Sequence, residues 1–268
     1  MWEYIAVLKK RIAQNKRAFV VYSVLRFLVI LTGIRCFFTR NYESLCLCIL
    51  SLILLLVPSF FEDKLKVSIP PLFQVIIYGF IYAAEILGEV NKYYTAIPGW
   101  DTMLHTLNGF LCAAIGLSLA YILNHGNSKV NLSPAYVAVM AFCFSMTIGV
   151  CWEFFEFTAD QFFHLDMQKD FIVTEIGSVT LDPSNSQIPV YLPDIVRTTI
   201  ELADGSFYTI EGGYLDIGII DTMKDLLVNF AGAVVFSVIG YLYELNQEKR
   251  SIVKGLLILP DDEGGTEQ

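Results

Sequence analysis

Charge is scarce in this sequence, and positive charge is the scarcest. Only 17% of its 268 residues are Asp, Glu, Lys or Arg, and 18 Lys and Arg face 27 Asp and Glu. Soluble domains carry about 25% charged residues, so a chain this poor in charge and 55% hydrophobic reads as a membrane protein. The net charge of −9 argues against nucleic acid as a partner, because a phosphate backbone calls for a basic face. Cysteine supplies no redox or zinc motif. Cys36, Cys46, Cys48, Cys112, Cys143 and Cys151 lie in or at the ends of apolar runs without C-x-x-C spacing, and read as buried free thiols. There is no evident internal repeat. A cleavable signal peptide is not expected either, since the first apolar run is long, contains Arg26 and Arg35, and is followed by no A-x-A site.

What the chain does have is long apolar runs. A spanning helix needs about 20 mostly apolar residues, and six segments answer to that: 18–38, 44–61, 71–90, 101–123, 133–163 and 219–245. The fold class is therefore an all-α polytopic membrane protein, a six-helix transmembrane bundle. Spans one to five occupy 18–163, and span six occupies 219–245. Residues 1–17 read as an amphipathic basic helix on the inner leaflet or as a helical extension of span one. Residues 246–268 read as a cytoplasmic tail whose polar, acidic end "LPDDEGGTEQ" is expected to be disordered. Between spans five and six, residues 164–218 alternate β-branched and polar residues, punctuated by Pro183, Pro189 and Pro193. They predict a small extracytoplasmic β-rich insertion, with Asp204-Gly205 as a hairpin turn of the I′ kind. It is either a solvated cap or a lid or partner surface.

Lys and Arg set the expected orientation through the positive-inside bias. With the N-terminus cytoplasmic, eleven (Lys9, Lys10, Arg11, Lys16, Arg17, Lys64, Lys66, Lys129, Lys249, Arg250 and Lys254) lie inside and four (Arg40, Lys92, Lys169 and Arg197) lie outside. The expectation is a multi-pass plasma (inner) membrane protein with both termini cytoplasmic.

The polar residues inside these runs are ordered. Span four opens "WDTMLHTLNGF", with Asp101 and His105 at i,i+4; span five ends "WEFFEFTAD", with Glu153, Glu156 and Asp160 at i, i+3 and i+7. Span six opens "DTMKDLLVNFAG", with Asp221, Asp225 and Asn229 at i, i+4 and i+8, and span three adds Glu85 and Glu89. Each set shares one helix face. Given the orientation, all four stripes fall in the outer third of the bundle and predict a shared polar pocket. A charge at mid-span costs about 2.5–3.5 kcal/mol on insertion scales, and clustered carboxylates repel one another. A divalent metal, shared protons, or Lys224 and Arg35 turning inward would relieve that. Oxygen ligands with one imidazole suit Mg²⁺, Mn²⁺, Ca²⁺, Fe²⁺ or Zn²⁺.

Plainer readings stand beside this one. Asp101, Asp160 and Asp221 are placed to cap or to sit at the interface, and Glu89 to be solvated. Asn229 is placed to join helices, Gly109, Gly232 and Gly240 to let helices approach closely, and Trp100, Tyr93, Tyr94 and Trp152 to form an interfacial belt. His105, Glu153, Glu156 and Asp225 lie too deep for capping.

"WDTMLHTLNGF", "WEFFEF" and "DTMKDLLVNFAGA" together resemble the YjdF-like bacterial inner-membrane proteins, a family of unknown function distantly similar to VanZ-like proteins. The resemblance runs over spans three to six and carries over to Asp101, His105, Glu153, Glu156, Asp221, Asp225 and Gly232; the outer loop is longer than it would lead one to expect. It implies the fold and membrane location, and links only the VanZ-like side to glycopeptide resistance.

The leading expectation is an outward-facing carboxylate and imidazole site. A divalent metal would be held by Asp101, His105, Glu153, Glu156, Asp221 and Asp225, with Glu153 or Glu156 as general base. The substrate would be lipid-linked or part of the cell envelope, reached among membrane lipids. The rivals are a proton-coupled transporter or carrier and a non-catalytic envelope or antibiotic-resistance factor.

Overall fold

A computed structural model of the chain describes residues 16–125, 130–246 and 252–260. Six helices are long and apolar enough to cross a membrane. The first is α1 (Lys16–Phe38); the second is α2 (Tyr42–Leu54), followed by α3 (Val57–Leu65). The third is α4 (Pro71–Ile81), which continues as a π-helix over Tyr82–Val90. The last three are α5 (Trp100–His125), α6 (Pro134–Phe163) and α7 (Ile219–Asn246). Lys16 and Arg17 belong to α1, so at those two positions the chain extends span one; residues 1–15, on which the amphipathic reading also rested, lie outside the described residues.

The chain divides into two compact units, Met1–Gly149 with Val228–Gln268, and Val150–Leu227. Both boundaries fall inside unbroken helices, α6 and α7.

In the first unit, the outer surface of α1 is a run of exposed apolar side chains, Val20, Phe27, Leu31 and Phe38 among them. A helix can show such a face to lipid because its backbone polar groups are bonded within the segment. Asn41 caps α2, its side-chain oxygen accepting the Ser44 N–H at 3.1 Å. Pro58 opens α3 and Lys66 ends it in the left-handed conformation. Half of the spanning window of α5 is buried, against 17–33% for the other spans, so α5 is the central helix. It runs beside α7 in the same direction: Gly109 lies against Asn229, Phe110 stacks edge-on to Phe236 at 4.7 Å, and Leu117 lies against Gly240.

The π-helix changes span three. A π-turn is wider than an α-turn, and Glu85 and Glu89 both lie within this segment. Glu85 is half-buried and Glu89 exposed, as a solvated end would have it. All six cysteines are free. Cys36, Cys48 and Cys112 are buried as expected, but Cys46, Cys143 and Cys151 are exposed. A thiol on a lipid-facing surface is already in an apolar solvent and gains little from the interior.

The end of the chain departs most from expectation. Residues 252–260 are ordered: a short 3-10 turn (Ile252–Gly255) leads into β8 (Leu259–Pro260), which pairs antiparallel with β1 (Val67–Ser68). Val253, Leu256 and Leu257 are almost wholly buried in the main apolar core with Phe73, Leu117 and Phe236. Burying such a side chain from water contributes about 1.5–3 kcal/mol. Of the stretch 259–268 expected to be disordered, Leu259–Pro260 are instead paired in β8, and residues 261–268 lie outside the described residues.

In the second unit, the insertion forms three small two-stranded sheets. β2 (Ile172–Val173) pairs with β7 (Tyr214–Leu215), β3 (Ile176–Ser178) with β4 (Val190–Leu192), and β5 (Arg197–Glu201) with β6 (Phe207–Glu211). The β5–β6 hairpin stands where Asp204-Gly205 placed it, but its turn is not type I′. Leu202 N–H donates to Ser206 O and Gly205 N–H to Leu202 O, both at 2.9 Å. That closes a three-residue loop with only Gly205 left-handed, at φ +82. The Asp204 carboxylate accepts from the Ser206 N–H and hydroxyl, and the chain keeps the common type I turn with a glycine bulge.

Candidate functional site

α5 begins after Gly99, with the Trp100 indole N–H donating to Ala83 O at 3.3 Å and its ring edge-on to Tyr93 at 5.0 Å. These contacts fix the first turn, where Asp101 stands. One turn on, His105 Nε2 lies 3.5 Å from Asp101 Oδ1, and the imidazole is only 13% exposed. The expected i,i+4 pair is formed.

Below it is a polar knot joining three helices of the first unit. Asn108 Nδ2 donates to Asn229 Oδ1 at 3.1 Å, Cys112 Sγ donates to Asn108 Oδ1 at 3.5 Å, and Ser145 Oγ donates to the Gly109 carbonyl at 2.7 Å. Asn229 is buried and its Nδ2 points at Met146 Sδ, 3.6 Å away. Three glycines permit this. A Cβ on Gly109 would overlap the Asn229 carbonyl, one on Gly149 would come within 2.6 Å of its amide nitrogen, and one on Gly232 would overlap Thr106 O. Asn229 thus joins helices, and Gly109 and Gly232 allow close approach. Asn108, Ser145 and Gly149 were not singled out from sequence. Their signal was a small or amide residue one or two turns inward of a titratable one.

In the second unit, α6 sorts its residues by face. Glu153 is 5% and Glu156 7% exposed, whereas Phe154, between them, is 66% exposed. Trp152 donates its indole N–H to Glu156 Oε1 at 2.8 Å. α7 likewise buries Asp221 and Asp225, the latter 4% exposed, and leaves Met223 and Leu227 on the surface. The carboxylates therefore turn away from the exposed apolar side of their own helices.

The acids at the helix ends serve the backbone. Asp160 Oδ1 and Oδ2 accept from the Met167 and Gln168 N–H groups at 2.7 and 2.9 Å, and Asp221 Oδ2 accepts from Lys169 N–H at 2.7 Å. Asp216, also missed from sequence, accepts from Phe171 N–H at 2.6 Å, Ile220 N–H at 2.9 Å and Gly218 N–H at 3.3 Å. Burial pushes its pKa up, but these backbone donors outweigh that and hold it below the ordinary carboxylate value. Lys224 and Arg35, named as one of three ways to relieve the carboxylates, are engaged by other groups: Lys224 Nζ stands 3.6 Å above the Phe171 ring and Arg35 donates to Asn91 Oδ1 at 3.5 Å.

The family model described as "Predicted membrane protein (DUF2238)" matches residues 18–246. The chain belongs to that family. The DUF2238 match agrees with the YjdF-like resemblance and extends it from spans three to six to all six spans. No curated protein and no solved structure matches the chain. This member of the DUF2238 family is a multi-pass membrane protein by family and by its six helices.

Proposed function

We propose that Asp101, His105 and Asp225 hold a divalent cation near one end of the helix bundle, and that this cation and the neighbouring carboxylates act on a membrane-borne substrate. The observation that carries the reading is a group of one imidazole and two carboxylates able to give a single ion one ligand atom each. One imidazole with carboxylate oxygens suits Mn²⁺, Fe²⁺ or Zn²⁺ better than Ca²⁺, which takes oxygen ligands.

A cation there would supply Lewis-acid chemistry. Glu153 and Glu156, buried on α6, are the proton acceptors in this reading, and the reaction class is hydrolysis or group transfer. A lipid-linked or cell-envelope substrate fits acids beside exposed Phe154, Phe155 and Phe157, where a polar head and an apolar tail are met together. The Lys and Arg distribution supports a site at the outer face of the plasma membrane, with both termini cytoplasmic.

Elemental analysis of the purified full-length protein tests the reading. The expected result is a stoichiometric divalent ion in the parent and in Glu156→Gln, and its loss in His105→Ala and Asp225→Asn. Equal metal content in all four proteins overturns it.

A further inference from the structure

The ordered end of the chain lies past the family-matched residues 18–246. We infer that residues 252–260 form a seal that closes the bundle at the end away from His105, so that the polar site opens to one side of the membrane only. This inference goes beyond the cation reading and does not depend on it.

Four observations within the first unit carry it. Ser118 lies thirteen residues after His105 on the unbroken α5, which puts it about 20 Å further along the axis at 1.5 Å per residue. Its hydroxyl donates to Ala114 O at 2.8 Å and accepts the Ile258 N–H at 3.0 Å, so the segment's backbone is bonded to the side of a spanning helix. Val253, Leu256 and Leu257 enter the apolar core between Phe73 of α4, Leu117 of α5 and Phe236 of α7. Finally, the segment continues as β8 against β1, with Ser68 opposite Leu259 and Val67 opposite Pro260. Irregular backbone is tolerated among membrane helices only where its polar groups find partners, and here Ser118 and β1 supply them. An alternating carrier needs a route out at this end; three aliphatic side chains occupy it.

Two experiments test the seal, both in full-length protein with the six native cysteines replaced by alanine. First, Ser68→Cys with Leu259→Cys sits at facing strand positions, where Cα spacing suits a disulfide. Mild oxidation of membranes is expected to cross-link most of the protein, seen as a reducible mobility shift. No cross-link overturns the docking. Second, Ser118→Cys reports access when a membrane-impermeant maleimide is applied to right-side-out and inside-out vesicles. It is expected to stay unlabelled from both sides, and to label at least tenfold faster from the C-terminal side when Leu256→Asp and Leu257→Asp are added. Fast labelling with the segment native overturns the seal, as does equally slow labelling with it disrupted. Because the cross-link is read on a chain in which Leu256 and Leu257 are native, misfolding of the double Asp variant cannot rescue the inference. Metal content plays no part in either readout, so the two readings fail separately.

Discussion

Acids in the insertion and acids in the spanning helices meet opposite fates. In the insertion, Asp182 takes the Ser184 and Ser186 N–H groups at 2.9 and 2.7 Å and both hydroxyls at 2.6 Å. Those bonds hold its carboxyl well below the usual range, as the Ser206 hydroxyl and N–H do for Asp204. Each of these acids organises its own loop. In a helix that option is closed, because the amides are already bonded to carbonyls four residues back. A mid-helix carboxylate must look across to another side chain or to a bound ion. Glu156 has the Trp152 indole, and Asp101, in the first turn of α5, lies beside His105. Asp221, in the first turn of α7, sits between these cases and still reaches Lys169 N–H. One residue type is thus structural or available according to whether free amides lie beside it.

The largest effect expected from this contrast is on metal content. On the cation reading, Asp182→Asn and Asp204→Asn should leave the metal content as it is, while Asp225→Asn lowers it. A cation lost equally on changing a loop acid and a helix acid would break the comparison, and elemental analysis reads both.

Next in size is helix packing beneath the site. Gly109→Ala and Gly232→Ala put a methyl onto backbone carbonyls that have no room to yield. Overpacking of this kind costs about 1–3 kcal/mol, seen as a lower melting temperature in detergent. Gly205→Ala, in the insertion, should leave that melt unchanged.

These two regions also differ in how far the sequence revealed them. Spans are legible because lipid demands long apolar runs: 71–90 matches Pro71–Val90, and 133–163 falls within a residue of Pro134–Phe163. Acid spacing at i,i+4 brought out Asp101 with His105 for the same reason, since helical period is fixed. The π-helix at Tyr82–Val90 left no mark, as its residues are ordinary helix formers. Asn108, Ser145 and Gly149 were hidden because their meaning lies in which neighbour they face. The docking of 252–260 was missed because a short apolar segment beside an acidic stretch has no period, and its partners Phe73, Leu117 and Phe236 are remote in sequence.

Acid should then separate the regions. The Asp216 carboxyl is held below its ordinary value, so the stability it contributes is present above the unfolded pKa, about 4. It is lost as pH falls through the lower folded value. Below about pH 4, hydrogen exchange at Phe171, Gly218 and Ile220 is expected to accelerate while the amides of α5 stay protected. Asp216→Ala should give the same acceleration at neutral pH, at about 1.5–3 kcal/mol for bonds to a charged group. Simultaneous acid exposure of both regions would show that the loop acids brace the helices as well.

The smallest effect concerns one turn. In a type I′ hairpin both central residues have positive φ, so Asp204 and Gly205 would both resist alanine on backbone grounds. In the three-residue loop found here only Gly205 is left-handed. Gly205→Ala should therefore cost about 1 kcal/mol, read as faster amide exchange at Leu202 and Ser206. Asp204→Ala should cost less, because it removes side-chain bonds to Ser206 and leaves the backbone unstrained. An equal response at both positions would restore the two-residue turn. It would also make Asp204 a residue held by backbone geometry, removing it from the acids whose carboxylates shape their own loops.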